Sequence, residues 1–252
     1  MVRASGDQIE RERRLPAEIV KAMKDAGVFG MATPLTWGGP ELDPLTQFRV
    51  IEALATADGS VGWCAMINCD SRYVTAFLDR ILDAHCTQTS SAHRRRRVHN
   101  RPSNPCARRK TRTTYAFPFM FITKGSAPAL GDARHAIDAV DTASRKPARL
   151  YTLGERLEAP KTMRDDVFVQ EAVGRAETML ASARAYQFEL IGDLWSTLSS
   201  GGEPTPQQIA LVTTGANHVI GVGLEVVRLV CKVAAGAAAI KQGRLTAACA
   251  IF

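Results

Sequence analysis

Acidic residues are missing from one long stretch of this chain. Between positions 84 and 131 there is no Asp or Glu, while Arg94, Arg95, Arg96, Arg97, Arg101, Arg108, Arg109, Lys110, Arg112 and Lys124 all fall there. Removing these ten from the 32 Lys and Arg leaves 22 basic residues against 25 acidic ones. The formal net charge of +7 thus belongs to one segment, and the rest of the chain is mildly acidic, which excludes a basic face spread over the whole molecule. Aromatic residues are scarce at 6%, although 46% of residues are hydrophobic. Small apolar side chains must therefore do much of the packing, which suits close helix–helix contact. No uninterrupted apolar run reaches the roughly 18 residues of a membrane span, and the opening MVRASGDQIERERR has no apolar signal core. The expected location is cytoplasmic. The six Cys, at 64, 69, 86, 106, 231 and 249, form no C-x-x-C pair, so a disulfide framework is not expected. Cys64 and Cys231, in apolar helical context, read as buried inert thiols.

What is present is clearest at 43–67, DPLTQFRVIEALATADGSVGWCAMI. Asp43 is placed to cap a helix that begins with Pro44, where a missing N–H costs nothing, and Phe48, Ile51, Leu54 and Ala55 share one face. Asp58-Gly59 stops that helix and Ser60 is placed to cap the next. Val61, Trp63, Cys64 and Ile67 then open a more fully apolar helix that continues to about Leu78. Upstream, Pro16 opens a helix through Ala26 with Ile19, Val20 and Met23 inward, and Gly27 ends it in a left-handed turn.

The ordered set Pro16, Gly27, Pro34, Gly38-Gly39, Asp58-Gly59-Ser60 and Trp63, spanning ERRLPAEIVKAMKDAGVFGMATPLTWGGPELD and ADGSVGW, resembles the N-terminal helical domain of the acyl-CoA dehydrogenase superfamily. The same residues also read as the caps and turns of any small α domain. The resemblance implies a helical N-terminal domain, a middle β domain and a C-terminal four-helix domain around a flavin and a thioester or aromatic substrate. Some flavin monooxygenases of the superfamily carry a His that serves the reacting flavin in the region where this chain has Asn68, Cys69, Asp70 and Ser71.

The character changes at Ile81. LDAHCTQTSSAHRRRRVHNRPSNPCARRKTRTT has almost no aliphatic residues and no usable period, so it buries too little surface to offset the entropy of ordering it, and disorder is expected. Three sharper readings apply. Cys86, His93, His99 and Cys106 as a zinc site have spacings that match no compact ligand pattern. The four consecutive Arg with Arg109-Lys110 suit non-specific phosphate contact, but no aromatic residue is interleaved to stack on bases. Out-of-frame translation of a GC-rich gene also yields such a composition and such an abrupt onset. A β domain needs on the order of a hundred residues, more than this segment holds. Only YAFPFMFIT, at 115–123, resembles a strand, and Pro118 interrupts it.

The resemblance resumes at Ser126. APALGDARHAIDAV, with Pro128 at a helix start and Leu130, Ala133, Ile137 and Val140 on one face, resembles the first helix of the C-terminal domain. Residues 144–163 read as a connecting loop. A helix from about Asp165 to Leu198 and a second from Pro206, with Thr205 as cap, form an antiparallel hairpin; His218 and Trp195 read as packing or interface groups. AAGAAAIKQGRL, at 234–245, resembles the Gly-containing segment that closes the family's domain near the cofactor.

The expected fold is mainly α, with a helical domain over 6–80, a basic and disordered or out-of-frame segment over 81–125, a helical bundle over 126–245 and a tail at 246–252. By resemblance the function is flavin-dependent oxidation, acting on an acyl-CoA or, alternatively, as a two-component aromatic hydroxylase; a non-catalytic helical oligomerisation protein is the third reading. The resemblance implies FAD or FMN, with Arg164 and Gln170 reaching its pyrophosphate or adenine, since relatives place an Arg and a Gln near the start of the long C-terminal helix. An Arg heading a surface turn beside Asp165 and Asp166 is the alternative. No residue is assigned as catalytic base, and no metal is implied. Without a β domain to wall the ring, this chain is expected to bind flavin weakly and to be inactive. The apolar hairpin implies a homo-oligomer.

Overall fold

The computed structural model describes residues 1–35, 38–75, 113–117, 120–145 and 162–238. Among these the architecture is helical, with no strand. In chain order the α-helices are α1 (Gly6–Glu12), α2 (Ala17–Asp25), α3 (Pro44–Ala57), α4 (Gly59–Thr75), α5 (Thr113–Ala116), α6 (Met120–Ser144), α7 (Val167–Ser199) and α8 (Pro206–Ala238).

Local chemistry accounts for the boundaries. The Asp43 carboxylate accepts from the Thr46 amide at 2.9 Å and from its hydroxyl at 2.6 Å, with Pro44 in the first turn, so two polar groups at the start of α3 are satisfied by one side chain. Gly27 follows α2 at φ 76°, the left-handed conformation that a glycine takes without steric cost. Asp58, rather than Ser60, caps α4: its Oδ1 accepts from the Ser60 and Val61 amides at 2.9 and 3.2 Å. Thr205 and Gln208 cap α8 reciprocally, with the Thr205 hydroxyl accepting from the Gln208 amide at 3.1 Å and the Gln208 side-chain oxygen from the Thr205 amide at 3.0 Å.

Helix α6 is the hub, packed most extensively on α3 and α8, while α7 and α8 form the expected antiparallel hairpin. Its small residues Ala127, Ala129, Ala133 and Ala136 are buried with Leu130, Ile137 and Val140, and they let the neighbouring backbones approach closely. A Cβ added to Gly131 would stand 2.4 Å from the Ala55 Cβ, and one added to Gly223 would stand 2.8 Å from the Ala129 carbonyl oxygen. Phe48 and Phe188 meet edge to face at 5.3 Å, and the Arg184 guanidinium covers Phe188 at 4.3 Å while pairing with Glu52 at 2.6 Å.

Several expectations are corrected. Tyr115 to Thr123 is not a strand: Tyr115 lies in α5, and α6 begins at Met120, six residues before the expected start of the bundle. The run is helical because Met120, Thr123, Lys124 and Ala127 fall on one buried face of α6. Residues 113–116 and 120–125 thus lie in helices α5 and α6. Pro128 lies inside α6 instead of at its start, with no amide to offer the carbonyl four residues back. On α4, Trp63 is 55% exposed and Ile67 also faces outward, because the buried positions recur as Val61-Gly62, Ala65-Met66 and Cys69-Asp70. Val20 on α2 is exposed as well. Cys64 is only half-buried, and Cys231 is engaged in a disulfide. Helix α8 is long and apolar enough, by length and composition, to cross a membrane; here Val212, Val219, Val226 and Val230 are buried in the core shared with α6 and α7. Trp37, the Arg94–Arg97 run, the four Cys and His of the zinc reading, most of the loop over 144–163 and most of 234–245 lie outside the described residues.

Candidate functional site

The residues that replace the expected His divide by helical geometry. Asn68 and Ser71 face outward, donating to carbonyls of their own helix at Cys64 and Ile67, at 2.8 and 2.9 Å. Cys69 and Asp70 face inward, four residues after the buried pair Ala65-Met66, on the side of α4 that meets α3 and α6. Lys124 reaches them from α6 and Gln47 from α3, and all four side chains are buried, Lys124 to 1% exposure and Asp70 to 3%.

Lys124 forms an ion pair with Asp70 Oδ1, and its Nζ also donates to Gln47 Oε1 at 3.3 Å and lies 3.6 Å from Cys69 Sγ. The Cys69 thiol donates to the same Gln47 oxygen at 3.4 Å, and Gln47 Nε2 donates to the Leu42 carbonyl at 2.6 Å. Gln47 is thereby held with its oxygen toward both the ammonium and the thiol. Burial pushes the Asp70 carboxyl above the usual carboxylate range, opposed by Lys124, and burial likewise raises the Cys69 thiol. Charges removed from water are tolerated only when paired and hydrogen-bonded. A carboxyl raised by burial, an ammonium and a thiol thus converge on one buried polar cluster around Gln47.

A second group lies at the α3–α4 corner. The Asp132 carboxyl packs over Gly59, where an added Cβ would meet its Oδ1 at 2.4 Å. Burial, and then the neighbouring Asp58 carboxylate, push its pKa from 3.8 up to about 7. One turn along α6, the His135 Nδ1 lies 3.1 Å from the Thr56 carbonyl oxygen.

The residues expected at the flavin phosphate, Arg164 and Gln170, are brought together at the head of α7. Gln170 Nε2 donates to the Arg164 carbonyl at 2.8 Å, and the Arg164 guanidinium pairs with Asp141 at 3.1 Å across to α6, with its side chain 58% exposed. Asp165 and Thr162 form a capping box beneath it. A planar guanidinium that is 58% exposed and paired with one carboxylate is of the chemical type that can also meet a phosphate. Among the described residues nothing comparable marks a site for the ring.

Sequence reasoning did not single out Lys124, Gln47, Asp132 or Asp58 as a polar system. The signal was the placement of charged or amide groups on apolar stripes: Lys124 between Met120 and Ala127, Asp70 after Met66, and Gln47 beside Phe48.

The comparisons with known proteins fit this frame. Residues 2–80 match the family model "Acyl-CoA dehydrogenase, N-terminal domain". The chain is 41% identical over 66 residues to the flavin-dependent monooxygenase oxygenase subunit HsaA of Mycobacterium tuberculosis, and 32% identical over 74 residues to the indole-3-acetate monooxygenase of Pseudomonas putida. These matches span 26% and 29% of this chain and only 17% and 19% of the relatives' own lengths. The fold is similar to that of 3-HSA hydroxylase from Rhodococcus sp. RHA1, with a TM-score of 0.80 at 16% identity over 98% of this chain and 86% of the other. It is also similar to XiaF from a Streptomyces species, solved with FADH2 and glycerol, with a TM-score of 0.75 at 12% identity over 98% of this chain and 85% of that one. Residues 2–80 thus match the N-terminal domain of the acyl-CoA dehydrogenases, and the chain shares the fold of these monooxygenases.

Proposed function

We propose that this chain is a flavin-dependent oxidoreductase of the monooxygenase type, a relative of the two-component aromatic hydroxylases, whose hold on flavin is confined to the phosphate end. The observation that carries the class is the 41% identity to a flavin-dependent monooxygenase within the N-terminal region. Flavin, when bound, would supply the redox chemistry, and the protein the orientation and the exclusion of water.

The curated relatives named above are monooxygenases, which favours this class over acyl-CoA dehydrogenation. A dehydrogenase needs a carboxylate facing the substrate's α-carbon. Asp70 is occupied by Lys124, and Asp132 is packed against the backbone at Gly59. Neither is placed to take a substrate proton.

Arg164 is the proposed phosphate ligand, with Gln170 holding the backbone beneath it. One charge-assisted contact is worth about 1.5–3 kcal/mol, against the ~8 kcal/mol of a micromolar complex. The β domain that would wall the ring has too few residues available between α4 and α6. The test is competition: if the grip is on phosphate, ADP displaces FAD at similar concentrations, and Arg164→Ala weakens both alike. FAD binding about a hundredfold tighter than ADP, roughly 2.7 kcal/mol, would contradict the proposal.

A further inference from the structure

We propose that Cys69 and Lys124 form a covalent sulfur–oxygen–nitrogen bridge when the folded chain meets dioxygen, stapling α4 to α6. The two side chains are 55 residues apart in sequence, yet the Lys124 nitrogen lies 3.6 Å from the Cys69 sulfur. Both point at a single oxygen, Gln47 Oε1, from 3.3 and 3.4 Å. Gln47 is fixed in turn through its amide on the Leu42 carbonyl. The thiol and the ammonium are therefore held side by side with no intervening side chain, at a spacing that one bridging oxygen atom can close with small rotations.

The surroundings supply what the chemistry requires. A lysine nitrogen attacks only as the free amine, and Asp70 is paired with it inside the protein, ready to take the proton. Cys69 is shielded from water and from larger reagents, its side chain being fully buried with Met66, Phe48 and Ile51 in the same core cluster. That shielding matters because an exposed sulfenic acid is lost to other thiols or to further oxidation. Dioxygen is small and apolar and enters such a core, where bulky oxidants do not. The balance is R–SH + R′–NH2 + O2 → R–S–O–NH–R′ + H2O. The thiol loses its S–H bond and the amine one N–H bond. One oxygen atom becomes the bridge, and the other leaves as water with both hydrogens, so dioxygen takes up four electrons. The proton removed from the Lys124 ammonium stays on Asp70.

Nothing in the flavin reading uses this pair, so the inference stands or falls independently of it. The test is peptide mapping of the intact folded chain, prepared once under air and once without oxygen, and cleaved by a protease that does not need Lys124. Under air the Cys69 peptide and the Lys124 peptide should appear joined, heavier than their sum by one oxygen less two hydrogens. Dithiothreitol should separate them, and the oxygen-free sample should lack the joined species. Cys69→Ser and Lys124→Arg should each abolish it. Alkylation of the native protein without denaturant reports whether the cluster is formed, because half-buried Cys64 should react well before Cys69. Recovery of Cys69 only as thiol, sulfinic or sulfonic acid after air exposure would overturn the proposal. So would alkylation of Cys69 as fast as that of Cys64.

Discussion

Ala55 lies between two glycines: a Cβ placed on Gly131 of α6 or on Gly62 of α4 would stand 2.4 Å from the Ala55 Cβ. Three helix backbones converge on one methyl group, and this contact fixes the α3–α4 corner against the hub helix.

Gly131→Ala is therefore expected to destabilise the protein by about 1–3 kcal/mol, as overpacking does, despite the roughly 1 kcal/mol that alanine gains over glycine in a helix interior. The obstacles include the backbone oxygen of Glu52 at 2.6 Å, which cannot swing away like a side chain. Gly174→Ala on α7, with nothing within 4 Å of the added carbon, should instead stabilise by about 0.5–1 kcal/mol. Urea unfolding of the two variants should move in opposite directions.

Asp132 makes the same corner sensitive to pH. Its folded-state pKa is raised to about 7 from 3.8, so the folded protein holds the proton more tightly than the unfolded chain. The contribution of Asp132 is then most favourable below about pH 4, declines as pH rises toward 7, and stays low above that. The full penalty is up to roughly 4 kcal/mol. Asp58 is the charged neighbour that adds to it, and His135, one turn on, faces the Thr56 carbonyl. Asp132→Asn should remove most of this decline, which thermal unfolding at pH 5 and pH 8 will read directly.

Much of this was legible in the sequence, and the part that was not has a physical reason. The helix starts at Asp43-Pro44 and Thr205-Pro206, the left-handed Gly27 and the α7–α8 hairpin all follow from local rules of capping and period. The apolar run Val61, Trp63, Cys64 and Ile67 marks a helix but does not by itself say which of these residues face inward. The i, i+4 sequence of Gly62, Met66 and Asp70 puts a carboxylate on the buried face and the tryptophan outside. YAFPFMFIT read as a strand because aromatic and branched residues suit strands; tertiary packing of Met120 and Lys124 against α3 and α4 overrides that preference. The ion pair of Lys124 with Asp70 joins residues from separate helices, and no local pattern announces it.

That pair makes a third prediction. Lys124→Met leaves a buried carboxylate without its partner and should cost about 3–5 kcal/mol, whereas the double variant with Asp70→Leu should recover most of the loss. A double-mutant cycle in urea measures the coupling.

Self-association is proposed on the strength of the apolar surface the hairpin leaves outside. Phe168 is 80% exposed, Val167 72%, and Tyr186 and Leu211 are exposed further along α7 and α8. Sedimentation at micromolar concentration is expected to show a dimer or larger species, reduced by Phe168→Glu combined with Leu211→Glu. A wild-type monomer would count against it.

Under the proposed function, the chain grips only the phosphate end of a flavin. Titration with FAD and then FMN, followed by quenching of flavin fluorescence at low and moderate salt, tests this most directly. The predicted result is a dissociation constant weaker than about 1 µM, rising further with salt because the contact is an exposed charge on phosphate, and lost in Arg164→Ala. Stoichiometric, salt-insensitive binding with a sub-micromolar dissociation constant would contradict the account.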